Sequence, residues 1–256
     1  MLVSVVTICR NPGGTLQRTA DSVAAQSHPL EWLVIDGASA DGTHEHLRAL
    51  PRPPEVLVSE PDRGIADAFN KGLARASGEA VLFLNAGDAF AGSDALATLL
   101  RAWDRDRHRW ITAGTEVRRE NELVLFTRVP PTGEARNLVR HDCRVWHAAT
   151  LCETALLREV GGFDPTFRSS MDYELWLRLI SRGHLPQTCP AIVARFYQGG
   201  ASASLRRRHA ENRRARAMHG MLNGALSEWR LGVVNTLKSL VPRGAWAYRV
   251  KERLGL

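Results

Sequence analysis

Over the first ninety residues, short apolar runs alternate with segments whose apolar residues recur every three or four positions. The runs Leu2–Cys9, Trp32–Asp36, Val56–Ser59 and Ala80–Leu84 lack the in–out alternation of a half-exposed strand. They read as strands buried on both faces, as in a parallel sheet. Between them lie three predicted helices. Thr15–Gln26 carries Leu16, Ala20, Val23 and Ala24 at helical spacing. The next runs to Leu50, with Ser39 or Asp41 as its cap. The third follows Glu60-Pro61-Asp62-Arg63-Gly64, places Ile65, Phe69 and Leu73 on one face, and is closed by Gly78 as a left-handed cap.

Beyond Ala91 the rhythm changes. Ser93–Trp103 reads as a helix, and Trp110–Val117 with Glu122–Val129 as an antiparallel pair around Arg118–Asn121. Glu153–Val160 is a short helix before the turn Gly161-Gly162-Phe163-Asp164-Pro165. Tyr173–Ser181 is an amphipathic helix with Leu175, Trp176, Leu179 and Ile180 facing inward, and Ala191–Tyr197 is a late strand. Short connections in β-α-β-α-β-α-β order predict an α/β fold, a doubly wound, mostly parallel sheet with helices on both faces and a smaller antiparallel part. Residues 1–204 are expected to form one domain, with 1–90 as one half and 91–204 as the other, followed by a basic helical extension over 205–256.

Composition changes this picture in one place. The formal charge is +7, but Ser204 to Leu256 holds 12 of the 34 Lys/Arg and only 3 of the 27 Asp/Glu. The extension is therefore basic and the main domain slightly acidic. A polyanion or an anionic membrane would meet the extension. No apolar run reaches the length of a membrane span. Met1–Val6 has neither the basic flank nor the cleavage site of a signal peptide. Cys9, Cys143, Cys152 and Cys189 are scattered without a CxxC pair, which fits small core residues in a reduced, cytoplasmic chain.

The candidate chemistry lies at the ends of the predicted strands. Parallel sheets place ligands outside the carboxyl ends of their strands. There the sequence puts Asp36, Asp62, and Asn85-Ala86-Gly87-Asp88. Three converging acids are explained by a divalent cation or by hydrogen-bond donors of a ligand, though each could instead be a turn former or helix cap. Neither GxGxxG nor GxxxxGK[ST] is present.

Four ordered segments carry a resemblance: Val3–Thr7, Val34–Thr43, Glu60–Gly72 and Phe83–Asp88. Over Met1 to Ser204 the chain resembles the family 2 glycosyltransferases, which have the GT-A fold, and within them the colanic-acid-type branch of bacterial polysaccharide assembly. The resemblance implies inverting transfer of a sugar from a nucleotide-sugar donor, expected to be a UDP-sugar, to a hydroxyl of a saccharide or lipid-linked saccharide. It implies nucleotide-sugar binding by Thr7, Asp36, Asp62, Asn70, Lys71 and Asn85, and metal binding (Mn²⁺ or Mg²⁺) at Asp88. Asp172 in Ser170-Met171-Asp172-Tyr173-Glu174 is the implied general base. His147 in Trp146-His147-Ala148-Ala149 lies on the acceptor side, and Gln198–Ser202 resembles the turn after the last strand. Two positions depart from the family pattern. Asn85 and Gly87 stand where an Asp-x-Asp-Asp motif has acids, and Met171 stands where many members have Glu.

The residues leave alternatives. Asp172 could be a plain helix cap, and Glu174 is the rival base unless it faces solvent or Arg178. His147 orients the acceptor or is a satisfied loop histidine. The rival to an enzyme is a non-catalytic nucleotide-sugar-binding or scaffold protein on the same fold. In the extension, Arg206–Arg208 and Arg213, Arg214 and Arg216 precede Leu226, Trp229, Leu237 and Trp246. That pattern suits a helix at an anionic bilayer surface, or one packed on the domain or on a second copy of the chain. Nucleic acid ranks last, because no binding module accompanies the charge.

Overall fold

The computed structural model describes residues 1–131, 139, 143–198 and 205–222. Among them, nine strands join in one sheet of order β3-β2-β1-β4-β8-β6-β9-β5, with β7 paired to β6. β1 (Val3–Cys9) lies parallel to β2 (Leu30–Asp36), which lies parallel to β3 (Val56–Ser59); β4 (Ala80–Phe83) lies parallel to β1 on its other side. The predicted runs are there because alternate residues feed opposite cores. Leu30, Trp32 and Val34 of β2 pack with α1 (Thr15–Ala24), α2 (Thr43–Ala49) and α4 (Ala95–Ala102). Leu33 and Ile35 pack on the other face with α3 (Ile65–Arg75), α5 (Thr154–Glu159) and α6 (Met171–Ser181).

The order turns at β1: β2 and β3 extend one way and β4 the other. That switch opens a crevice outside the carboxyl ends of β1 and β4. The second half mixes directions. β8 (Thr150–Glu153) is antiparallel to β4 and to β6 (Trp110–Arg119), while β9 (Gln187–Gln198) is parallel to β6 and antiparallel to β5 (Ala89–Phe90). β7 (Val124–Arg128) makes the predicted antiparallel pair with β6.

Several local expectations differ from the structure. Ile65 is exposed rather than facing inward with Phe69 and Leu73. Helix α3 ends at an extended Ala76, so Gly78 is not its cap. A side chain on Gly78 would instead collide with the backbone of Leu2 and Ser4. Helix α2 has Gly42 at its N-cap, and Asp41 takes the N–H of Thr43 at 3.3 Å; Ser39 turns to Asp36 instead. Helix α6 is buried almost all round, with only Asp172, Arg178 and Ser181 partly or fully exposed.

The cover on α6 is α7 (Leu205–Met218), which buries Asn212, Ala215 and Arg216. The first helix of the basic extension is thus part of the packed unit. Among the described residues no helix is long and apolar enough to cross a membrane. The Gly199–Ser202 turn and the apolar residues of the extension from Leu226 onward lie outside the described residues. None of the four cysteines is in a disulfide.

Candidate active site

Three strand ends build the near wall. Asp36 closes β2 and is only 1 % exposed. Its Oδ2 accepts the Ser39 N–H at 3.0 Å and the Ser59 hydroxyl at 2.6 Å. Its Oδ1 accepts the Ser39 hydroxyl and the Cys9 thiol, the latter at 3.6 Å. A carboxylate has about four acceptor positions, and all are filled here. Burial, with Asp36 beside it, pushes the Cys9 thiol pKa far up, so Cys9 stays a neutral donor. Asp62 lies over Gly37, where a side chain would collide with Asp62 Oδ2, and it accepts the Gly64 N–H at 2.8 Å. The Arg10 side chain flanks the same glycine.

At the switch point β4 runs into the turn Asn85–Asp88. Asp88 N–H donates to the Asn85 carbonyl at 3.0 Å, and Gly87 sits at φ +96°, a conformation that disfavours any acid in its place. Thr19 of α1 donates to the Asp88 carbonyl at 2.7 Å and accepts the Gly87 N–H at 2.9 Å. Arg18, stacked 3.6 Å over the Tyr197 ring, donates to the Gly87 carbonyl. The turn is therefore held by two adjacent residues of α1.

The Asp88 side chain is 4 % exposed. Burial pushes its pKa up to about 7, against the opposing pull of His147, the Tyr197 N–H and Arg18. Its Oδ2 and Asn85 Oδ1 are both buried without a hydrogen-bond partner. Orphaned buried oxygens are costly and call for a partner. Two of them in one four-residue turn fit a hard, oxygen-seeking cation. They are too few to cage it, and among the described residues no group of three His, Cys, Asp or Glu is arranged to hold a metal ion.

The far wall comes from the second half. Asp172 occupies the first turn of α6, where its Oδ1 accepts the Tyr173 N–H at 2.7 Å. Its Oδ2 stands 3.5 Å from Nδ1 of His147, which opens the short 3-10 turn His147–Ala149 before β8. Burial opposes protonation of His147, but the bond to Asp172, its charge and that of Asp88 outweigh it, so the His147 pKa is raised overall. Nε2 of His147 is buried without a partner. Asp88, His147 and Asp172 thus form an acid–imidazole–acid line from the β4 turn to α6.

The other residues expected at the site have structural partners. The Thr7 hydroxyl, wholly buried, accepts Nε1 of Trp32 at 3.0 Å. Asn70 makes two 2.8 Å bonds to the N–H and C=O of Phe163. Lys71 donates to the Pro61 carbonyl at 2.7 Å and pairs with Glu60 at 3.0 Å, so it braces the Asp62 turn from below. Glu174 is 2 % exposed and paired with Arg178 at 2.6 Å and His219 at 2.8 Å. Those bonds outweigh the burial that would otherwise raise its pKa, and the net shift is downward. Sequence reasoning missed Arg10, Arg18 and Tyr197, because none belongs to a motif and each arrives from a different element. A cleft of about 480 Å³ also runs between α1, β5 and β9, lined by Arg18, Ser22, Phe90, Arg195 and Tyr197. Asp172 and His147 do not line it.

Comparison with known proteins points the same way. The family described as Glycosyl transferase family 2 matches residues 4–156. An uncharacterized glycosyltransferase of Mycobacterium tuberculosis is 35% identical over 180 residues, 69% of this chain and 68% of the relative. A Bacillus subtilis protein named as a teichuronic acid biosynthesis glycosyltransferase is 28% identical over 191 residues, 71% of this chain and 73% of the relative. Among solved structures, a mannosyltransferase of Pyrobaculum calidifontis in complex with GDP-Man and Mn²⁺ superposes with a TM-score of 0.69 at 21% identity. That match covers 98% of this chain and 75% of the other, and shows that the fold is of the GT-A type.

Proposed function

Given that the chain belongs to glycosyl transferase family 2 and is a glycosyltransferase, we propose that it transfers a hexose with inversion from a nucleoside diphosphate sugar, UDP being the expected carrier. The acceptor is a hydroxyl of a saccharide or lipid-linked saccharide in bacterial surface-polysaccharide assembly, the colanic-acid-type branch. The name of the Bacillus subtilis relative supports saccharide assembly.

The observation that carries the reading is the Asp88–His147–Asp172 line between the β4 turn and α6, with unpartnered buried oxygens on Asp88 and Asn85. In the proposed step the acceptor oxygen attacks C1 as the C1–diphosphate bond breaks on the opposite face. The proton of the attacking hydroxyl passes to Asp172, the group in the line that reaches the acceptor side. Asp88 and Asn85 would hold a divalent cation, which when bound supplies positive charge beside the departing diphosphate. The presence of Mn²⁺ in the Pyrobaculum structure supports that assignment. His147 orients Asp172 through Nδ1. Asp62 and Arg10 border the nucleoside edge. Asp36 acts there by fixing the Ser39 turn, its own acceptor positions being filled.

At the extension, Arg207, Arg208 and Arg213 are exposed, as are Met218 and Leu222 farther along the chain. This supports contact with an anionic membrane surface at its cytoplasmic side. Reversing the three arginines to glutamate should abolish co-sedimentation with anionic vesicles; unchanged sedimentation refutes that contact.

The test of the activity is a donor screen. UDP- and GDP-sugars, each with and without Mn²⁺, are scored by thermal stabilisation and by release of nucleoside diphosphate. Saturation at a hundredfold over Kd stabilises by about 2.7 kcal/mol. One donor should stabilise the protein more with Mn²⁺ than without and should turn over. Stabilisation without turnover by any donor, with or without acceptor saccharides, would favour the scaffold reading.

A further inference from the structure

Helix α7 holds six arginines and one acid, Glu211. That acid turns inward. Glu211 Oε1 accepts the N–H of Arg168 at 3.1 Å, and Oε2 accepts those of Ser169 and Ser170 at 2.8 and 2.9 Å. These three amides form the entry to α6, immediately before Met171 and Asp172. Amides at a helix start have no partner within the helix, and a carboxylate is the strongest acceptor for them. Here it comes from another helix. The neighbouring α7 side chains continue the clamp. Arg214 donates to the Thr166 hydroxyl at 2.8 Å and lies 4.4 Å over the Phe167 ring. Just past the end of α7, His219 holds Glu174 at 2.8 Å. From the same segment Arg168 reaches across to the Arg63 carbonyl, next to Asp62.

We propose that Glu211 is a positioning residue for the transfer step, fixing the α6 entry so that Asp172 meets the acceptor hydroxyl. The first helix of the basic extension is thereby a working part of the active site. Because Arg168 joins the clamped segment to the Asp62 turn, the same contact holds the donor and acceptor walls at a set spacing. The inference rests on Asp172 as the base.

The test uses the full chain with Glu211→Gln and Glu211→Ala, alongside Asp172→Asn. Glutamine keeps one acceptor oxygen for Ser169 and Ser170 and turns a donor toward the Arg168 N–H. Alanine loses all three bonds. Active sites are counted by nucleotide-binding stoichiometry, and donor consumption is split into transfer to acceptor and hydrolysis by water. That ratio does not depend on how much protein is folded. Glu211→Ala should lower kcat per site at least tenfold and lower the transfer-to-hydrolysis ratio, with donor KM unchanged. Glu211→Gln should fall between it and the unsubstituted chain. If both Glu211 variants keep the ratio and kcat per site while Asp172→Asn loses transfer, the positioning role is wrong and the base assignment stands. If Asp172→Asn itself transfers normally, the base assignment fails and this inference with it.

Discussion

Asp88 should make the ligand-free protein less stable as pH rises, and Asp88→Asn should remove that dependence. The folded-state pKa is about 7, against an ordinary value of 3.8. The folded chain therefore holds a proton that the unfolded chain has released between about pH 4 and 7. With more protons bound when folded, stability must fall with pH across that window, by about 1.4 kcal/mol per pH unit. The full cost above pH 7 is about 4 kcal/mol, of which nearly 3 kcal/mol accrues between pH 5 and pH 8. His147 and Arg18, the charges facing Asp88, already oppose the burial term within this net shift. Asparagine keeps the acceptor for the Tyr197 N–H and carries no charge, so its stability lacks this slope. The difference between the two proteins, read as urea-unfolding free energies without nucleotide or divalent cation, cancels the other titrating groups. It should grow in favour of Asp88→Asn by roughly 2–3 kcal/mol from pH 5 to pH 8. The same variant should lose the Mn²⁺-dependent part of nucleotide stabilisation. A difference that stays flat with pH, or that turns against asparagine at pH 8, refutes the buried, unpartnered carboxylate.

Three further outcomes follow from the contacts. Glu174→Gln breaks a buried pair with Arg178 and His219 and should cost about 3–5 kcal/mol in urea unfolding, with turnover per folded site largely kept. Asn70→Ala strands the N–H and C=O of Phe163 and should cost about 2 kcal/mol or more, with nucleotide affinity unchanged in calorimetry. Removing divalent cations with EDTA should sharply weaken nucleotide binding, and Mn²⁺ should restore it. With two protein oxygens on offer, cation and diphosphate should bind each other's sites cooperatively.

β1, β2 and β4 were legible because a parallel strand buried on both faces leaves a continuous apolar run, as in Trp32–Ile35; β3 (Val56–Ser59) forms as expected but is the edge strand, half-buried with Ser59 exposed, and not covered on both faces. β5 and β8 were not. Ala89–Phe90 is too short to show a period, and Thr150–Glu153 becomes a strand only because β4 and β6 leave a slot between them. Helix α6 reads as amphipathic from its own residues. Its outer face is buried because α7 covers it, and that is why Glu174 meets Arg178 and His219 rather than solvent. At the site, Asp36, Asp62 and Asp88 could be placed on one edge from strand ends alone. What each carboxylate does depends on neighbours distant in sequence: Ser59 saturates Asp36, Gly37 admits Asp62, and burial behind Arg18 and Tyr197 leaves Asp88 short of partners. Thr7 and Asn70 show the converse, since a motif position predicts a residue's place but not the bonds it makes there.

The measurement closest to the central claim is single-turnover transfer by Asp172→Asn at saturating donor, Mn²⁺ and acceptor, with nucleotide affinity measured on the same protein. Losing a positioned general base should slow transfer by roughly 10²–10⁴-fold while the nucleotide Kd stays within about twofold. Transfer at the rate of the unsubstituted chain, with unchanged nucleotide affinity, would contradict the assignment of Asp172 as the base.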